Sequence, residues 1–396
     1  MHRSLRLPIA LLGFVIVLAI LASGSFLLNK WLPQPATYSS STGSPIGNLA
    51  NDPLEYLPDT GLVQLTSPNS TTSYYIRSLN DQTDEDLGSA LGQQDRTEYG
   101  TQEDLVILDY GYPYFQGGSY GVYLIFDAHF YNTTSVANSI KSFADGWKNA
   151  TDSTSDLTIV AGVNNCCTGT SSLWPNHGSR WATEVVNVAN SLINNNRIKV
   201  IGGMDIEMSW NYPYASRQWL DSYMSNSSCT PGSDDSADGC FVNFGIQVVS
   251  AYGTTCQTLT LPTVAPGTPT PDPLGYWDAC DVWYPSWGAQ RSGQSHFARP
   301  LPEIYHAATI QPPWGSDANA WATMSVFSDQ QMHAGPMFFA GSLTQRGDCN
   351  DTCIKGNNYP WEGFQLLSGA LASNPTTHQG MRWSTDMKKQ YITPTP

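Results

Sequence analysis

From position 104 onward, short apolar runs alternate with amphipathic stripes, and this alternation constrains the fold more than any other feature of the 396-residue chain. Runs at residues 105–110, 122–126, 157–163, 198–204, 241–248, 281–287, 303–305 and 337–343 have the length and apolar density of buried strands. Between them, Val136, Ile140, Phe143 and Trp147 recur at helical spacing, as do Trp181, Val185, Val188 and Leu192. Trp219 with Tyr223 marks a shorter helix, and residues 318–327 and 361–371 supply two more. The pattern predicts an α/β fold, a (β/α)8 TIM-like barrel of eight parallel strands. A flavodoxin-like open sheet, which needs fewer strands, is the alternative.

In such a barrel the chemistry sits at the carboxyl ends of the strands. The run at 198–204 ends in Asp205-Ile206-Glu207, and alternation along a strand sends both acids to the same side, with Cα atoms roughly 6–7 Å apart. Mutual repulsion and burial drive the pKa values of such a pair apart, which lets one group stay protonated while its neighbour ionises. Other polar and aromatic residues fall at predicted strand ends: Asp109, Asp127 with His129, Asn164 with Asn165, Gln247, Tyr284 with Trp287, Tyr305 with His306, and Thr344 with Gln345. The catalytic candidates are Glu207, Asp205 and Asp109. Asn164, Trp210, Tyr284, Trp287, Tyr305 and Gln345 are the candidates for binding a substrate. Asp281 and Glu303 open their predicted strands, which places both at the stability face.

Charged residues make up only 13% of the chain, yet the net charge is −15, which speaks against a nucleic-acid partner. The 13 Trp and 20 Tyr suit neutral sugars, whose C–H faces stack on aromatic rings. The seven His show neither HxH nor HExxH spacing, so no metal or other cofactor is expected, and a serine hydrolase is not expected either.

Residues 7–28 are almost unbroken in apolar character behind His2, Arg3 and Arg6, long enough to span a bilayer. Residues 1–30 therefore read as a signal-anchor or transmembrane segment. Ala22-Ser23-Gly24 leaves a cleaved signal peptide open. Residues 31–53 read as a Pro/Ser/Thr-rich stalk, 54–103 as a lead-in packed on the barrel, 104–375 as the barrel and 376–396 as a C-terminal tail. The expected location is the cell membrane with an extracellular domain, or secretion if the segment is cleaved. Eight cysteines in an exported chain imply disulfides, with Cys229–Cys240, Cys256–Cys280 and Cys349–Cys353 as the expected pairs. Cys166 and Cys167 then form either a vicinal disulfide or two free thiols.

Leu108-Asp109-Tyr110, Asp205-Ile206-Glu207 and Leu343-Thr344-Gln345 resemble the first-, fourth- and eighth-strand ends of the family 25 lysozymes, (β/α)8-like hydrolases of the cell-wall glycan. Residues 104–371, with Asp205-Ile-Glu-Met-Ser-Trp-Asn, Asp281-Val-Trp-Tyr-Pro-Ser-Trp-Gly, Leu301-Pro-Glu-Ile-Tyr and Ala340-Gly-Ser-Leu-Thr-Gln, resemble more closely a group of exported soil-bacterial proteins described only as glycoside-hydrolase-like barrels. The lysozyme resemblance implies Glu207 as general acid, with Asp205 and Asp109 assisting. It departs from the family where Gly111-Tyr112-Pro113-Tyr114 follows the first strand, and the cysteine-bearing loops have no counterpart. The expected function is an exported hydrolase of a polysaccharide or peptidoglycan. A non-catalytic, membrane-tethered glycan-binding or envelope protein on a degenerate barrel is the alternative.

Overall fold

The computed structural model describes residues 69–99, 102–167, 172–245, 277–306, 318–347 and 357–390. The expected anchor and stalk, and the site candidate Gln247 with Cys256, Cys349 and Cys353, lie outside the described residues. No helix among the described residues is long and apolar enough to cross a membrane.

The strands, in chain order, are β1 (Asn69–Tyr75), β2 (Glu103–Asp109), β3 (Tyr112–Gln116), β4 (Ser119–Tyr123), β5 (Phe130–Asn132), β6 (Asp156–Asn164), β7 (Ile198–Asp205), β8 (Phe241–Asn243), β9 (Ala298–Pro300), β10 (Gly341–Thr344) and β11 (Trp383–Lys389). Eight of them form one parallel sheet in the order β10-β11-β1-β2-β6-β7-β8-β9. Its two outer strands meet just past β9. There the Ala340 N–H donates to the Pro300 carbonyl (3.0 Å), Leu343 N–H to Pro302 (2.9 Å) and Ile304 N–H to Leu343 (2.8 Å). Glu303 also bridges Leu343 in parallel register, so the sheet is a nearly closed barrel.

Alternation along the strands sorts the core into two layers. Leu105, Ile107, Val160, Ile201, Val242 and Leu343 join Phe244 and Met387 in one apolar cluster, as expected for side chains enclosed by the sheet. Their strand neighbours Val106, Leu108, Ile159, Ala161 and Val200 belong to a second cluster shared with the helices. A strand buried on both faces reads as a continuous apolar run, which is why β2, β6 and β7 were visible in the sequence. Two glycines shape the inner layer: a Cβ at Gly162 would stand 2.8 Å from the Phe244 ring, and one at Gly203 would stand 2.4 Å from Val160. Phe244 fits into the barrel because both strands lack a side chain there.

Several expected elements differ. Residues 69–75 and 383–389, expected within a lead-in and a tail, are the adjacent parallel strands β1 and β11. Residues 122–126 are not a barrel strand; β3, β4 and β5 form a separate antiparallel sheet, turned at Gly117-Gly118, where φ values of 61° and 86° suit a two-residue hairpin. That turn lies within Gly117-Gly118-Ser119-Tyr120-Gly121, which has G-x-S-x-G spacing. It joins two antiparallel strands rather than a strand and a helix, so it is no nucleophile elbow. Residues 281–287 are helical, because Asp278 accepts hydrogen bonds from the Cys280 and Asp281 N–H groups while the Asp281 carboxylate takes the Asp278 N–H, a capping box. Finally, a π-helical turn at Trp181–Val186 rotates the helix that contains it. Trp181 and Val185 are buried as expected, but Val186, Ala189 and Ile193 are buried in place of Val188 and Leu192, which are 37% and 44% exposed.

Candidate functional site at the carboxyl mouth of the barrel

The register delivers a ring of side chains to one end of the sheet. Tyr75 pairs with Asp109, Asp109 with Gly162, and Asn164 with Asp205. Asp109 follows Leu105 and Ile107 at the same parity, and Asp205 follows Ile201, so both acids continue the inner face. Here a cavity of about 540 Å³ opens, lined by Asp205, Glu207 and Glu303 with Tyr75, Tyr305 and Gln345. Its upper wall holds Tyr112, Tyr123, Ile125 and Phe126 from the hairpin side, and Cys166, Cys167 and Trp210 from the loops after β6 and β7. That size is within the ordinary range for a small-molecule site, and no described lining residue is Lys, Arg or His.

The acids are buried together. Asp109 and Glu303 are 2% exposed, Asp205 4% and Glu207 7%. One carboxylate oxygen each of Asp109, Asp205 and Glu303 is buried without a hydrogen-bond partner. Burial pushes the Glu207 carboxyl up to about 8 and Asp109 up to about 7, the latter tempered by the Gly111 N–H, which donates to Asp109 Oδ1 at 2.8 Å. Asp205 is raised well above the usual carboxylate range by burial and then by the charges of Glu303, Glu207 and Asp109. Glu303 is raised likewise, by burial first and by Glu207 next. Four carboxyls buried in one site ionise stepwise, since the first charge suppresses the others, so a set in which one has ionised keeps protonated neighbours.

Around Glu207 the backbone is fixed. Asn165 uses both ends of its amide on this one residue: its Oδ1 accepts from the Glu207 N–H (2.9 Å) and its Nδ2 donates to the Glu207 carbonyl (3.1 Å). Across the cavity, Gln345 Nε2 donates to the Tyr75 hydroxyl at 3.0 Å.

Of the residues singled out in the sequence, the structure brings Asp205, Glu207, Trp210, Tyr305 and Gln345 to the cavity. Asp109 and Asn164 lie in the same inner ring but do not line it; Asn164 Oδ1 instead accepts from the Cys166 N–H at 3.1 Å. Tyr284 and Trp287 are not in the site. The Tyr284 hydroxyl donates to Asp221 and its ring carries Arg217, while Trp287 is fully buried and stacked on His296 at 4.1 Å. One difference accounts for both, since the helix begun at Asp278 turns them away from any strand end. Asp127 and His129 lie in the loop between β4 and β5 and are absent from the cavity lining, with Asp127 3.5 Å from Arg77. Glu303 is the chief omission: β9 ends at Pro300, so Glu303 lies past a carboxyl end rather than opening a strand. Tyr75 was missed because its strand is rich in Ser and Thr.

Asp205 falls on the fourth strand of the barrel sheet as expected, because β1 adds a strand ahead of it and residues 122–126 contribute none. Asp109, by the same count, ends the second strand and not the first, so this part of the lysozyme layout is not reproduced. Residues 341–344 likewise form the seventh strand, and β11 is the eighth.

Among the described residues no group of His, Cys, Asp and Glu is arranged to hold a metal ion. No family model, no curated protein and no solved structure matches the chain.

Proposed function

We propose that the barrel is that of an exported glycoside hydrolase of (β/α)8 type, acting on a cell-wall or other extracellular glycan. The observation that carries this reading is the arrangement of the acids: Glu207, Asp205 and Glu303 line one aromatic-walled cavity whose described lining holds no Lys, Arg or His, and burial raises all three carboxyls. A carboxyl still protonated at neutral pH is what the leaving oxygen of a glycosidic bond requires. Glu207 donates that proton. Asp205, two residues earlier at the carboxyl end of β7, stabilises once ionised the positive charge that develops on the sugar ring, or orients an N-acetyl group that attacks internally. Where the mechanism is direct, the second carboxylate is Glu303 rather than Asp109, because Glu303 lines the cavity and Asp109 does not. Lack of any described cation in the lining disfavours phosphorylated substrates, and the aromatic wall suits the apolar faces of neutral sugars.

The test is turnover across a panel of N-acetylated cell-wall and chitin-like polymers. Replacing a positioned general acid costs about a hundredfold to ten-thousandfold, so Glu207→Gln is expected to abolish measurable cleavage while binding and folding persist. Wild-type protein that binds a glycan in the panel and cleaves none would replace this reading with that of a membrane-tethered binding protein.

A further inference from the structure

Two of the disulfides serve different ends. Cys229–Cys240 joins residues 11 apart, and Cys166–Cys167 joins neighbours. Cross-linking stabilises a fold mainly by closing loops in the unfolded chain, and more for longer loops. A bridge between adjacent residues closes almost none, so its consequence is local shape.

That shape is found at the acid. Cys166 is half-buried, Cys167 is exposed, and both line the cavity that holds Glu207. Cys167 has φ 68°, a left-handed conformation that a residue with a side chain adopts only when its surroundings hold it there. The hold is visible: Asn211 Nδ2 donates to the Asn165 carbonyl (3.1 Å) and lies 3.4 Å from the Cys167 carbonyl, and Asn165 in turn grips both backbone groups of Glu207. Asn211 is tied down by Trp277, whose indole N–H donates to its carbonyl at 2.9 Å. The disulfide and the acid are therefore parts of one hydrogen-bonded unit.

We infer that the Cys166–Cys167 disulfide, with Trp210, is a wall of the binding site that packs against the apolar face of a pyranose ring held next to Glu207. This rests on the glycan reading of the cavity. Divalent sulfur is polarisable and weakly hydrated, which suits the C–H face of a sugar better than a polar loop would. Because the asparagines lock the wall to the acid, a ring lodged against the sulfurs keeps a fixed position relative to the Glu207 carboxyl.

Two measurements on the full chain test it, with an N-acetylglucosamine tetramer as probe. The first compares binding by calorimetry in a Glu207→Gln background, where nothing is cleaved, with and without Cys166→Ser and Cys167→Ser. The wall predicts about tenfold weaker binding, or about 1.4 kcal/mol, at unchanged thermal midpoint. The second uses the Glu207→Gln parent with both cysteines in place, so the tetramer stays intact and no cysteine variant has to fold. Dithiothreitol reduces the bridge to two thiols as it closes to its own cyclic disulfide, and a sugar seated on the sulfurs should slow that step about tenfold. Alkylation and peptide mass follow Cys166 and Cys167, with Cys229–Cys240, which is absent from the cavity lining, as the unprotected control. Equal binding by the double variant together with unprotected reduction overturns the wall and leaves the glycan reading standing. A tetramer that fails to bind the Glu207→Gln parent, with every other glycan in the panel failing too, overturns both.

Discussion

Strand β2 carries a buried aspartate at each end, and the two have different surroundings. Asp104, at the amino end, is pushed up to about 9 by burial and by Asp95 beside it; Asp109, at the carboxyl end, is raised to about 7 chiefly by burial. At the amino end the second carboxyl is occupied structurally, since Asp95 Oδ2 accepts from the Trp147 indole N–H at 2.8 Å and from Thr151 at 3.4 Å. Neither Asp95 nor Asp104 lines the broad outer hollow nearby, which is walled by residues such as Ser89, Arg96 and Asn149. At the carboxyl end, Asp109 stands behind Asp205, Glu207 and Glu303, which do face one. A displaced pKa therefore does not by itself mark a functional site, because a proton shared between two structural acids displaces it as much. An unpartnered buried carboxyl oxygen is found at both ends, on Asp104 as on Asp109, and what separates the ends is the space for a ligand in front of the acids at the carboxyl end.

Turnover should break the symmetry most. Glu303→Gln is expected to lower cleavage about a hundredfold, the low end for a positioned acid or base, whereas Asp104→Asn should leave the rate per folded molecule unchanged. Equal losses in an assay corrected for folded fraction would mean that the two acid groups are not functionally distinct. The next effect is on stability and belongs to the other end. Asp95→Ala removes the acceptor of the Trp147 indole and leaves that buried N–H unpaired, at a cost of about 1–3 kcal/mol in urea unfolding. A loss within error would show that the amino-end pair is not structural, and would reopen it as a site.

How much of this was legible in the sequence follows from the physics of each strand. β7 and its two acids could be read because a strand buried on both faces must be apolar until it reaches the cavity. Helix Thr133–Ala150 could be read because its four large apolar residues face the same way, and all four are buried. β1 could not, since its inward positions are hydroxyls satisfied by neighbouring strands: Thr71 donates to the Leu105 carbonyl, and Ser73 pairs with Thr385 (2.7 Å) and accepts from the Ile107 N–H (2.8 Å). Such a strand has no hydrophobic period, and the lost strand took Tyr75 with it. Glu303 was misplaced for a different reason. Its pairing partner is Leu343, distant in sequence, and only the closing seam shows that it stands beyond the end of β9. The helix at Ala279–Trp283 did have a signal, the Asp278-x-x-Asp281 capping box, outweighed by the β-forming look of Val-Trp-Tyr.

The smallest expected effect sharpens the comparison through pH. Asp109 titrates near 3.8 in the unfolded chain and near 7 in the folded one, so the folded state holds its proton more tightly. Stability from this group is fully present below about pH 4 and is lost as pH rises through 7, which makes the wild-type carboxyl a burden at alkaline pH. The substitution Asp109→Asn keeps a side-chain oxygen for the Gly111 N–H and removes the charge. The variant should therefore melt about 2–4 °C higher than wild type at pH 8.5, with no gain at pH 4, as followed by circular dichroism in the same buffers. A gain of equal size at both pH values would place its origin in packing, and the low hydration assigned to the carboxyl mouth would no longer be supported by Asp109.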